Sequence, residues 1–415
     1  MTMRVCFISH SSYMGGAELA MLEVIEGLVA RRVECRVVVP TPGELVAELE
    51  LRGIVCHISS CWWWVGGPQP RGLRGVKYRV RAAASQLHKG WKIAGVLSSW
   101  RPDVVVTNTI CVPAGAFAAW KLGAAHVWYI HEFGSLDQGL EFLFGRRLSL
   151  WVMNRCSDAV ICNSHAVAQH FSDGIPATKQ RIMKQRIMPY RLKLAAGSSE
   201  EVPVAQRHDG SLNCIMVGDV VPRKRQEDGV AAVGLLTRAG LDVRLSIVGR
   251  QPRVEYLNTL NRLIDEYGIR ERVVFVDWVR DPTPYMRAAD VLLMCSRMEA
   301  FGRVTVEAMR LGRAVIGARS GGTTELICDG ETGLLFEVAN PTDLAQKMRQ
   351  LYENRDLMTK LGTTARAWTN EMFTEEATTG KVYEVLCQCA ASRGATAPPS
   401  SLVLQPGTKR ETSGQ

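Results

Sequence analysis

Two acidic residues, Glu299 and Glu307, stand eight positions apart just after an apolar segment. Glu299 follows a predicted strand and Glu307 lies roughly one turn inside a predicted helix. With a rise of about 1.5 Å per helical residue plus a short loop, their carboxylates can be on the order of 10 Å apart. Carboxylates at that separation can bind hydroxyl groups at the two ends of one extended ligand.

Glycines and cations near these acids are suited to phosphate. Residues 320–324 read S-G-G-T-T and open a predicted helix, and a glycine pair lets backbone N–H groups approach an anion closely. Arg223, Lys224 and Arg225 lie between a predicted strand and a predicted helix, where cations can neutralise a diphosphate. A solvated cluster at a helix start is the alternative for these three residues. Carboxylates for hydroxyls beside donors for phosphate indicate a nucleotide-sugar.

One predicted strand–helix–strand unit holds most of these side chains. The pattern predicts a buried strand over 291–294, a helix over 303–311 that Gly312 ends, and a second strand over 314–317. The polar residues gather where strands end. In an open parallel sheet, ligands bind at the carboxyl ends of the strands. The unit is therefore predicted to form one side of a binding cleft.

The start of the chain has a similar organisation. Residues 4–9 form a predicted strand, and the turn M-G-G-A-E at 14–18 leads into a predicted helix. Neither this turn nor the one after the strand predicted at 212–218 contains G-x-G-x-x-G, which disfavours a nicotinamide-dependent oxidoreductase. The strand predicted at 125–130 ends in His131, which this topology places at the cleft. The alternative is a purely structural histidine.

The residues from Glu299 to Glu307 read E-A-F-G-R-V-T-V-E, with S-R-M before them and G-G-T-T-E-L-I-C-D-G-E-T-G-L-L-F from position 321. Two acids at this spacing occur in many helices, so a solvated helix face with a glycine C-cap is the plain alternative. With both flanking blocks, the segment resembles the retaining glycosyltransferases of family 4, also called group 1. The resemblance covers about 4–390 in organisation, and its specific motifs lie within 218–336.

The resemblance implies an α/β protein with the GT-B fold, in which two Rossmann-like doubly wound domains face each other across a cleft. The second domain then binds the donor and the first mainly binds the acceptor. The resemblance assigns the ribose to Glu307, the hydroxyls of the donor sugar to Glu299 and the diphosphate to Lys224. We expect His131, Glu299 and Lys224 to be catalytic. The expected donor-binding residues are Gly15, Gly16, Arg223, Lys224, Phe301, Gly302, Glu307, Gly321, Gly322 and Thr323.

The resemblance also implies retention of anomeric configuration, commonly described as front-face attack in which the leaving phosphate helps accept the proton of the acceptor. Such a hexosyl- or related glycosyltransferase needs no dedicated base. Its transition state is stabilised by protein cations and helix N-termini, so we expect neither a metal nor a cofactor. The sequence agrees in having no D-x-D arrangement in a suitable loop.

One position departs from the family's pattern. Many members have an arginine directly after the glycine that matches Gly218, but here Asp219 follows. An acid cannot perform that role, so either Arg223 or Arg225 substitutes for it or phosphate is bound more weakly. Asp219 also keeps open a catalytically silent nucleotide-sugar-binding subunit. A sugar-nucleotide epimerase of similar architecture is the other alternative, although it would need no acceptor groove.

The length of 415 residues and the 47% apolar fraction allow two domains with full cores. We predict a first, acceptor-side domain at 1–190, a linker at 191–211, a donor-binding domain at 212–373, a helix at 374–390 that crosses back to the first domain, and a disordered tail at 391–415.

The segment 51–102 contains no Asp or Glu. Tryptophan favours the water–lipid boundary, and each Lys or Arg near an anionic lipid surface is worth about 1 kcal/mol. Our hypothesis is that this segment docks the enzyme on a membrane or holds a lipid-linked or anionic acceptor. The alternative is that the tryptophans pack under a loop and the cations form an ordinary solvated face. The residues concerned are Trp62, Trp63, Trp64, Arg71, Arg74 and Lys77.

The apolar runs, the net charge and the cysteines of the sequence limit the compartments and partners that we expect. No apolar run reaches the ~18–20 residues of a membrane helix, and no secretion signal opens the chain, so we expect a cytoplasmic protein, peripheral on the inner face of the membrane. The net charge of +9 comes without a nucleic-acid motif. The twelve cysteines form no C-x2-C pair and are expected to be reduced. The expected partners are a nucleotide-sugar and a glycan or lipid-linked acceptor, in cell-envelope or extracellular polysaccharide biosynthesis.

Overall fold

Two parallel sheets, each flanked by helices, form the core of the protein. The computed structural model describes residues 2–67, 72–183, 185 and 210–394. The strands of the first sheet are β1 (Arg4–Ile8), β2 (Glu34–Val39), β3 (Val55–Ile58), β5 (Val104–Thr107), β6 (Ala125–Ile130), β8 (Ala159–Cys162) and β9 (Gln180–Ile182). Those of the second sheet are β10 (Leu212–Val217), β11 (Val243–Val248), β12 (Val273–Val276), β13 (Val291–Met294), β14 (Ala314–Ala318) and β15 (Leu334–Phe336). Strands β4 (Val65–Gly66) and β7 (Glu141–Phe142) form a small antiparallel ribbon.

The helices connect these strands and cover both faces of each sheet. In the first half they are α1 (Gly16–Ala30), α2 (Glu44–Leu51), α3 (Gly72–Leu97), α4 (Ala114–Leu122), α5 (Arg146–Arg155) and α6 (His165–His170). In the second half they are α7 (Gln226–Arg238), α8 (Val254–Tyr267), α9 (Thr283–Ala288), α10 (Arg303–Arg310), α11 (Thr323–Leu326), α12 (Pro341–Glu353), α13 (Arg355–Met372) and α14 (Lys381–Ser392). None of the helices in the described part of the chain is long and apolar enough to cross a membrane.

The strand order indicates where a ligand-binding cleft is expected. The first sheet runs β3-β2-β1-β5-β6-β8-β9 and the second runs β12-β11-β10-β13-β14-β15, with parallel neighbours throughout. The order reverses between β1 and β5 in one sheet and between β10 and β13 in the other. Ligands bind at such switch points, beyond the carboxyl ends of the strands. The topology confirms the predicted α/β class with two doubly wound domains.

Alternation along the central strands explains why both faces of each sheet are covered. On β1, Val5 and Phe7 pack in one cluster of the core, whereas Cys6 and Ile8 pack in the cluster on the opposite face. Successive strand side chains point to opposite faces, so an almost wholly apolar strand must have helices on both sides.

The end of the chain returns to the first domain. Helix α14 packs Val382, Val385 and Leu386 into the same core cluster as β1 and α1. It follows a π-helical turn at Glu376–Gly380 and ends at Ser392, whereas the sequence predicted a helix over 374–390. Most of the predicted linker, and the predicted tail from 395 onward, lie outside the described residues, as does Arg71.

The two domains are joined at the cleft by a buried ion pair. Glu23 on α1 accepts hydrogen bonds from both terminal nitrogens of Arg303, the first residue of α10, at 2.7 Å each. Only 4% of the Glu23 side chain and 9% of the Arg303 side chain are exposed. Burial alone would lower the pKa of Arg303, but Glu23 and Glu307 raise it above its ordinary value. Neither charge can be left alone there, so the pair fixes α1 against α10.

Arg303→Met leaves the buried Glu23 carboxylate without its cation, and we expect the free energy of unfolding to fall by about 3 kcal/mol. Arg303→Met combined with Glu23→Met removes this pair and should regain part of that loss, because Glu307, 3.9 Å from Arg303, still loses the guanidinium. Urea unfolding followed by circular dichroism measures both effects.

A pair between the same two domains in which only the cation is exposed gives the control. Arg280, whose side chain is 75% exposed, pairs with Glu48. Arg280→Met should cost less than about 1 kcal/mol. If Arg280→Met and Arg303→Met lowered the free energy of unfolding equally, burial of the Glu23–Arg303 pair would have no special effect on stability.

Candidate active site in the cleft between the domains

Two adjoining cavities occupy the cleft. The first, here called the polar cavity, is about 520 Å³ and is reached by the loops after β1, β6, β10 and β13. The second, here called the apolar cavity, is about 740 Å³ and extends between α2 and the ends of β11 and β12. Gly15, Gly16, Asp219, Arg303 and Val304 line both cavities. One extended ligand can therefore occupy the two cavities together.

An ion pair between the predicted diphosphate and sugar residues lies in the polar cavity. Lys224 ends a short 3₁₀ turn after β10, and its Nζ lies 2.7 Å from Oε2 of Glu299. Burial by itself raises the pKa of Glu299, but Lys224 outweighs it, with a further hydrogen bond from Ser296, and the pKa lies below its usual range. Glu299 is therefore held as a carboxylate beside a fixed cation.

Glu307 lines the apolar cavity close to the Arg303 guanidinium. Its Oε1 is 3.9 Å from Arg303, one helical turn earlier on α10. The cavity wall around it is largely apolar and includes Val217, Val248 and Trp278. Glu299 and Glu307 thus face different cavities, as two acids that bind opposite ends of one ligand must.

Two helix N-termini converge on the space shared by the cavities. Helix α1 follows Gly15 and helix α10 follows Gly302, and neither start is capped by a side chain. A Cβ on Gly16 would lie 3.6 Å from Cδ of Arg303, so the two starts nearly touch. Helix starts present backbone N–H groups and a positive dipole end. With Lys224 alongside, this space is suited to a diphosphate.

The glycine pair at 321–322 has a packing role that the sequence did not indicate. The Gly322 amide donates to the carbonyl of Glu299 at 2.7 Å, and the Thr323 amide donates to the carbonyl of Ser320 at 3.2 Å. A Cβ on Gly321 or Gly322 would lie 2.4 or 2.5 Å from a carbonyl oxygen of the loop at 299–300. The Gly322 and Thr323 amides are therefore engaged within the protein, and phosphate binding by the Gly321 amide stays a prediction. The two glycines pack against the loop that carries Glu299.

His131 is held in one tautomer by a chain of hydrogen bonds. Asn108 Nδ2 donates to the carbonyl of Ala17 at 3.0 Å, so its Oδ1 is the acceptor for His131 Nε2 at 2.9 Å. His131 Nδ1 then accepts from Gln185 Nε2 at 2.9 Å. Burial, with the positive charge of Arg303, lowers the pKa of His131 to about 3. His131 lines the polar cavity as a neutral ring with both nitrogens engaged, which favours an orienting role over that of a base.

The structure distinguishes the two arginines that the sequence offered in place of one at Asp219. Arg225 pairs with Asp228 at 2.6 Å at the start of α7 and does not line the polar cavity, whereas Arg223 does. Arg250 also lines this cavity, and its guanidinium lies 5.1 Å from the ring centre of Trp278. Arg250 was missed although it directly follows Gly249 at the end of β11, the kind of position that singled out the other site residues.

The three consecutive tryptophans occupy three environments. Trp64 is 2% exposed and stacks with Trp128 at 6.1 Å in the first core, so its predicted surface role is wrong. Trp63 is half exposed and lines the polar cavity. Trp62 is exposed near α3, where Gln86 donates to its carbonyl. Their common position in sequence does not give them a common function.

Comparison with known proteins agrees with this geometry. Residues 14–184 match the model of Glycosyltransferase Family 4, and residues 199–368 match that of Glycosyl transferases group 1. The chain belongs to the family 4, or group 1, glycosyltransferases. The resemblance inferred from the E-x7-E segment is thereby confirmed. The two matches lie in the two domains of this glycosyltransferase.

One relative and one solved structure resemble this glycosyltransferase along most of its length, and a second relative resembles it over about a third. It is 24% identical over 387 residues to an uncharacterised glycosyltransferase of Methanocaldococcus jannaschii, covering 90% of this chain and 95% of the relative. It is 33% identical over 153 residues to N-acetyl-alpha-D-glucosaminyl L-malate synthase of Bacillus anthracis, covering 37% of this chain and 39% of that enzyme. Anabaena HepE in complex with UDP superposes with a TM-score of 0.75 at 22% identity, over 93% of this chain and 100% of HepE. The GT-B fold is thus confirmed.

The close packing at Gly321 generates a prediction. Gly321→Ala places a Cβ 2.4 Å from the carbonyl oxygen of Glu299 in a left-handed backbone with φ of 50°. We expect the loop carrying Glu299 to move and the rate of sugar transfer to fall at least tenfold, in addition to about 1 kcal/mol of backbone strain.

Gly330 offers the matched control. It has a φ of 82°, and a Cβ there meets nothing within 4 Å. Gly330→Ala should lower the stability measured by thermal unfolding through backbone strain alone. Its rate of sugar transfer should stay near that of the wild type. Similar transfer rates in the two variants would mean that Gly321 does not position Glu299.

Proposed function

We propose that this glycosyltransferase moves a sugar from a nucleotide-sugar to a hydroxyl of a glycan or lipid-linked acceptor, with retention of configuration. The observation that carries the proposal is the Lys224–Glu299 pair beside the start of α10, which puts a cation for phosphate 2.7 Å from an ionised carboxylate for sugar hydroxyls. Anabaena HepE, which shares the fold, has been solved with UDP-glucose bound, and this supports a nucleotide-sugar donor.

The donor occupies both cavities. Its nucleoside lies in the apolar cavity, where Glu307 binds the ribose hydroxyls and Trp278 contributes to the wall. The diphosphate lies at the starts of α1 and α10, beside Lys224 and Arg223. The sugar lies in the polar cavity against Glu299. No metal is needed, because these protein groups carry the positive charge that opposes the diphosphate.

Catalysis follows from where charge develops. The bond between the anomeric carbon and the phosphate oxygen breaks through an oxocarbenium-like state, and negative charge grows on the departing phosphate. Lys224 and the helix starts are fixed beforehand and stabilise that charge more than the ground state. The acceptor oxygen bonds to the anomeric carbon on the same face, and its proton passes to the leaving phosphate. This route needs no dedicated base, consistent with a neutral, fully hydrogen-bonded His131.

A role in cell-envelope or extracellular polysaccharide assembly is supported by a relative. The chain is 24% identical over 243 residues to the lipopolysaccharide core biosynthesis glycosyltransferase LpsE of Rhizobium meliloti, covering 56% of this chain and 65% of that enzyme. Acceptors in such assembly are glycans attached to lipid, which places the reaction at a membrane surface.

The outer face of α3 is suited to an anionic membrane. Leu73 is 90% exposed, and Val76, Val80 and Trp91 are also exposed, although side chains of this type are usually buried. Arg74 and Lys77 are exposed on the same helix, within a segment that lacks acids. Apolar side chains flanked by cations bind the interface of anionic bilayers. The basic face, defined as these six residues of α3, is therefore proposed to hold the enzyme on the membrane.

Nucleotide release over a panel of UDP-, GDP- and ADP-sugars tests the proposed reaction. One donor should release its nucleotide above background. Lys224→Met should lower kcat for that donor roughly hundredfold or more, because it removes a fixed donor to the leaving phosphate. Lys360→Met, which removes an exposed lysine of the same domain, should have no effect.

The alternatives predict other results. A donor that binds in calorimetry but releases no nucleotide with any acceptor would favour a silent binding subunit. Conversion to a second sugar-nucleotide would favour an epimerase. If no nucleotide-sugar binds at all, the donor site assigned to Lys224, Glu299 and Glu307 is wrong.

Sedimentation with liposomes tests membrane docking. Each cation near an anionic surface is worth about 1 kcal/mol, so Arg74→Gln with Lys77→Gln should lower the partition coefficient for phosphatidylglycerol vesicles by about thirtyfold at low salt. Arg262→Gln with Arg349→Gln, exposed residues of the second domain, changes the net charge equally and should have little effect. Equal binding to phosphatidylcholine and phosphatidylglycerol vesicles would contradict the assignment of the basic face.

A further inference from the structure

The two domains contribute different charged side chains to the lining of the polar cavity. The second domain contributes four cations to its lining, Arg223, Lys224, Arg250 and Arg303, and two carboxylates, Asp219 and Glu299. Among the described residues, the first domain contributes no lysine or arginine to this lining. It contributes carboxyl groups instead, from Glu18, Glu132 and Asp137. An anion is therefore attracted more strongly to the wall of the second domain than to that of the first.

Two of the three carboxyl groups are occupied by the protein itself. Glu132 accepts hydrogen bonds from the Thr109 hydroxyl and from the Ile110 amide at 2.8 Å. Asp137 accepts from the amides of Phe133 and Gly134 at 3.0 and 2.8 Å. These bonds shape the loop after β6, so neither carboxyl is primarily a ligand group.

Glu18 differs from these two. It lies in the first turn of α1 with 4% of its side chain exposed, and its Oε1 is 3.2 Å from the Ser9 hydroxyl and 3.5 Å from Nδ1 of His10. Both distances are long for strong hydrogen bonds. Burial raises the pKa of Glu18 to about 7 and lowers that of His10 to about 4. Near pH 7, His10 is therefore neutral and Glu18 is only partly ionised, and both side chains line the cavity with hydrogen-bonding capacity.

Two buried amide oxygens of the same wall have no partner within the described part of the chain. They are Oδ1 of Asn163 and Oε1 of Gln185, on side chains that are 2% and 3% exposed. Their orientation is fixed because each amide nitrogen bonds to His131: Asn163 Nδ2 donates to its carbonyl and Gln185 Nε2 donates to its ring. The atoms left over are therefore acceptors. A buried acceptor without a partner is costly, and a ligand O–H satisfies either oxygen only after a local shift of the wall, because both atoms are buried.

Trp63 adds an apolar surface to the wall. Its ring centre lies 5.4 Å from that of His10, and its Nε1 lies 3.4 Å from the His10 carbonyl oxygen. The indole is 44% exposed and lines the cavity. A flat aromatic face beside hydrogen-bond acceptors fits a ring with an apolar face and hydroxyl edges.

We propose that the wall formed by His10, Glu18, Trp63, Asn163 and Gln185 selects an acceptor whose reacting end is uncharged and carries several hydroxyls, such as a neutral sugar ring. Acceptors with a carboxylate or phosphate on that ring are disfavoured, because the wall offers acceptors and carboxyl groups where an anion needs donors. The inference rests on the glycosyltransferase function proposed above and narrows its acceptor class.

Matched acceptors test the selection. Octyl glucoside and octyl galactoside are compared with the corresponding octyl uronides, which differ only in a carboxylate at C6, using the donor found in the nucleotide-release panel. We expect kcat/KM for a neutral member to exceed that for its uronide at least tenfold.

Variants connect the preference to the wall. Glu18→Gln and Trp63→Ala should each raise the KM for the neutral glycoside about tenfold and leave the donor Kd within about twofold. Glu18→Lys should lower the ratio of kcat/KM for the neutral glycoside to kcat/KM for its uronide, or bring that ratio below one. Trp151→Ala, which removes a 60% exposed tryptophan of α5 away from the cavity, should match the wild type.

The outcomes separate this inference from the proposed function. If no nucleotide-sugar binds to the wild type, the proposed function itself fails. If a donor binds and is consumed but uronides are used as well as neutral glycosides, or no neutral glycoside is used, the acceptor selection is overturned. Equal effects of Glu18→Gln on donor Kd and on acceptor KM would also overturn it, because the wall would then belong to the donor site.

Discussion

The site depends first on the buried ion pair between Glu23 and Arg303. A guanidinium and a carboxylate that are both removed from water must remain together, since either one alone is strongly unfavourable. Because Glu23 lies on α1 and Arg303 opens α10, the pair brings together the starts of the helices that follow the first strand of one domain and the central switch-point strand of the other. Two helix N-termini then share one space, and neither domain alone has that arrangement. The anion site is thus a property of the assembled cleft.

A second constraint holds the Glu299 carboxylate in place. The Glu299 side chain is fixed from one side by Lys224 at 2.7 Å, while its carbonyl accepts from Gly322 at 2.7 Å. The glycines at 321 and 322 allow this approach because any Cβ there would collide with the loop. The same residues therefore shape the loop and keep Glu299 ionised beside a cation. Preorganisation of this kind avoids the cost of reorienting charges when the glycosyl–phosphate bond breaks.

Much of the fold and part of the site could be predicted, for local reasons. Apolar strands followed by polar turns indicate doubly wound domains, and the spacing of Glu299 and Glu307 with its flanking blocks indicates the family. The pair of Glu23 and Arg303 could not be predicted, because its partners are 280 positions apart and each alone resembles a surface charge. The close packing of Gly321 and Gly322 against the loop at 299–300 could not be predicted, since a glycine pair serves close packing as well as phosphate binding. The tryptophans at 62–64 diverge because the chain turns from an exposed loop into the core within three residues.

The different charges on the two walls of the polar cavity affect both the leaving group and the attacking hydroxyl of the proposed reaction. In the proposed reaction, transfer produces a nucleoside diphosphate that carries more charge than the ester it came from, and the cations of the second domain hold it on the donor side. The first-domain wall, without described lysines or arginines, offers it no such cation. A hydroxyl can enter from that wall at little electrostatic cost because it carries no charge. The same division that stabilises the leaving group therefore leaves the opposite wall suited to a neutral nucleophile, and the direction of attack follows from where the protein puts its charges.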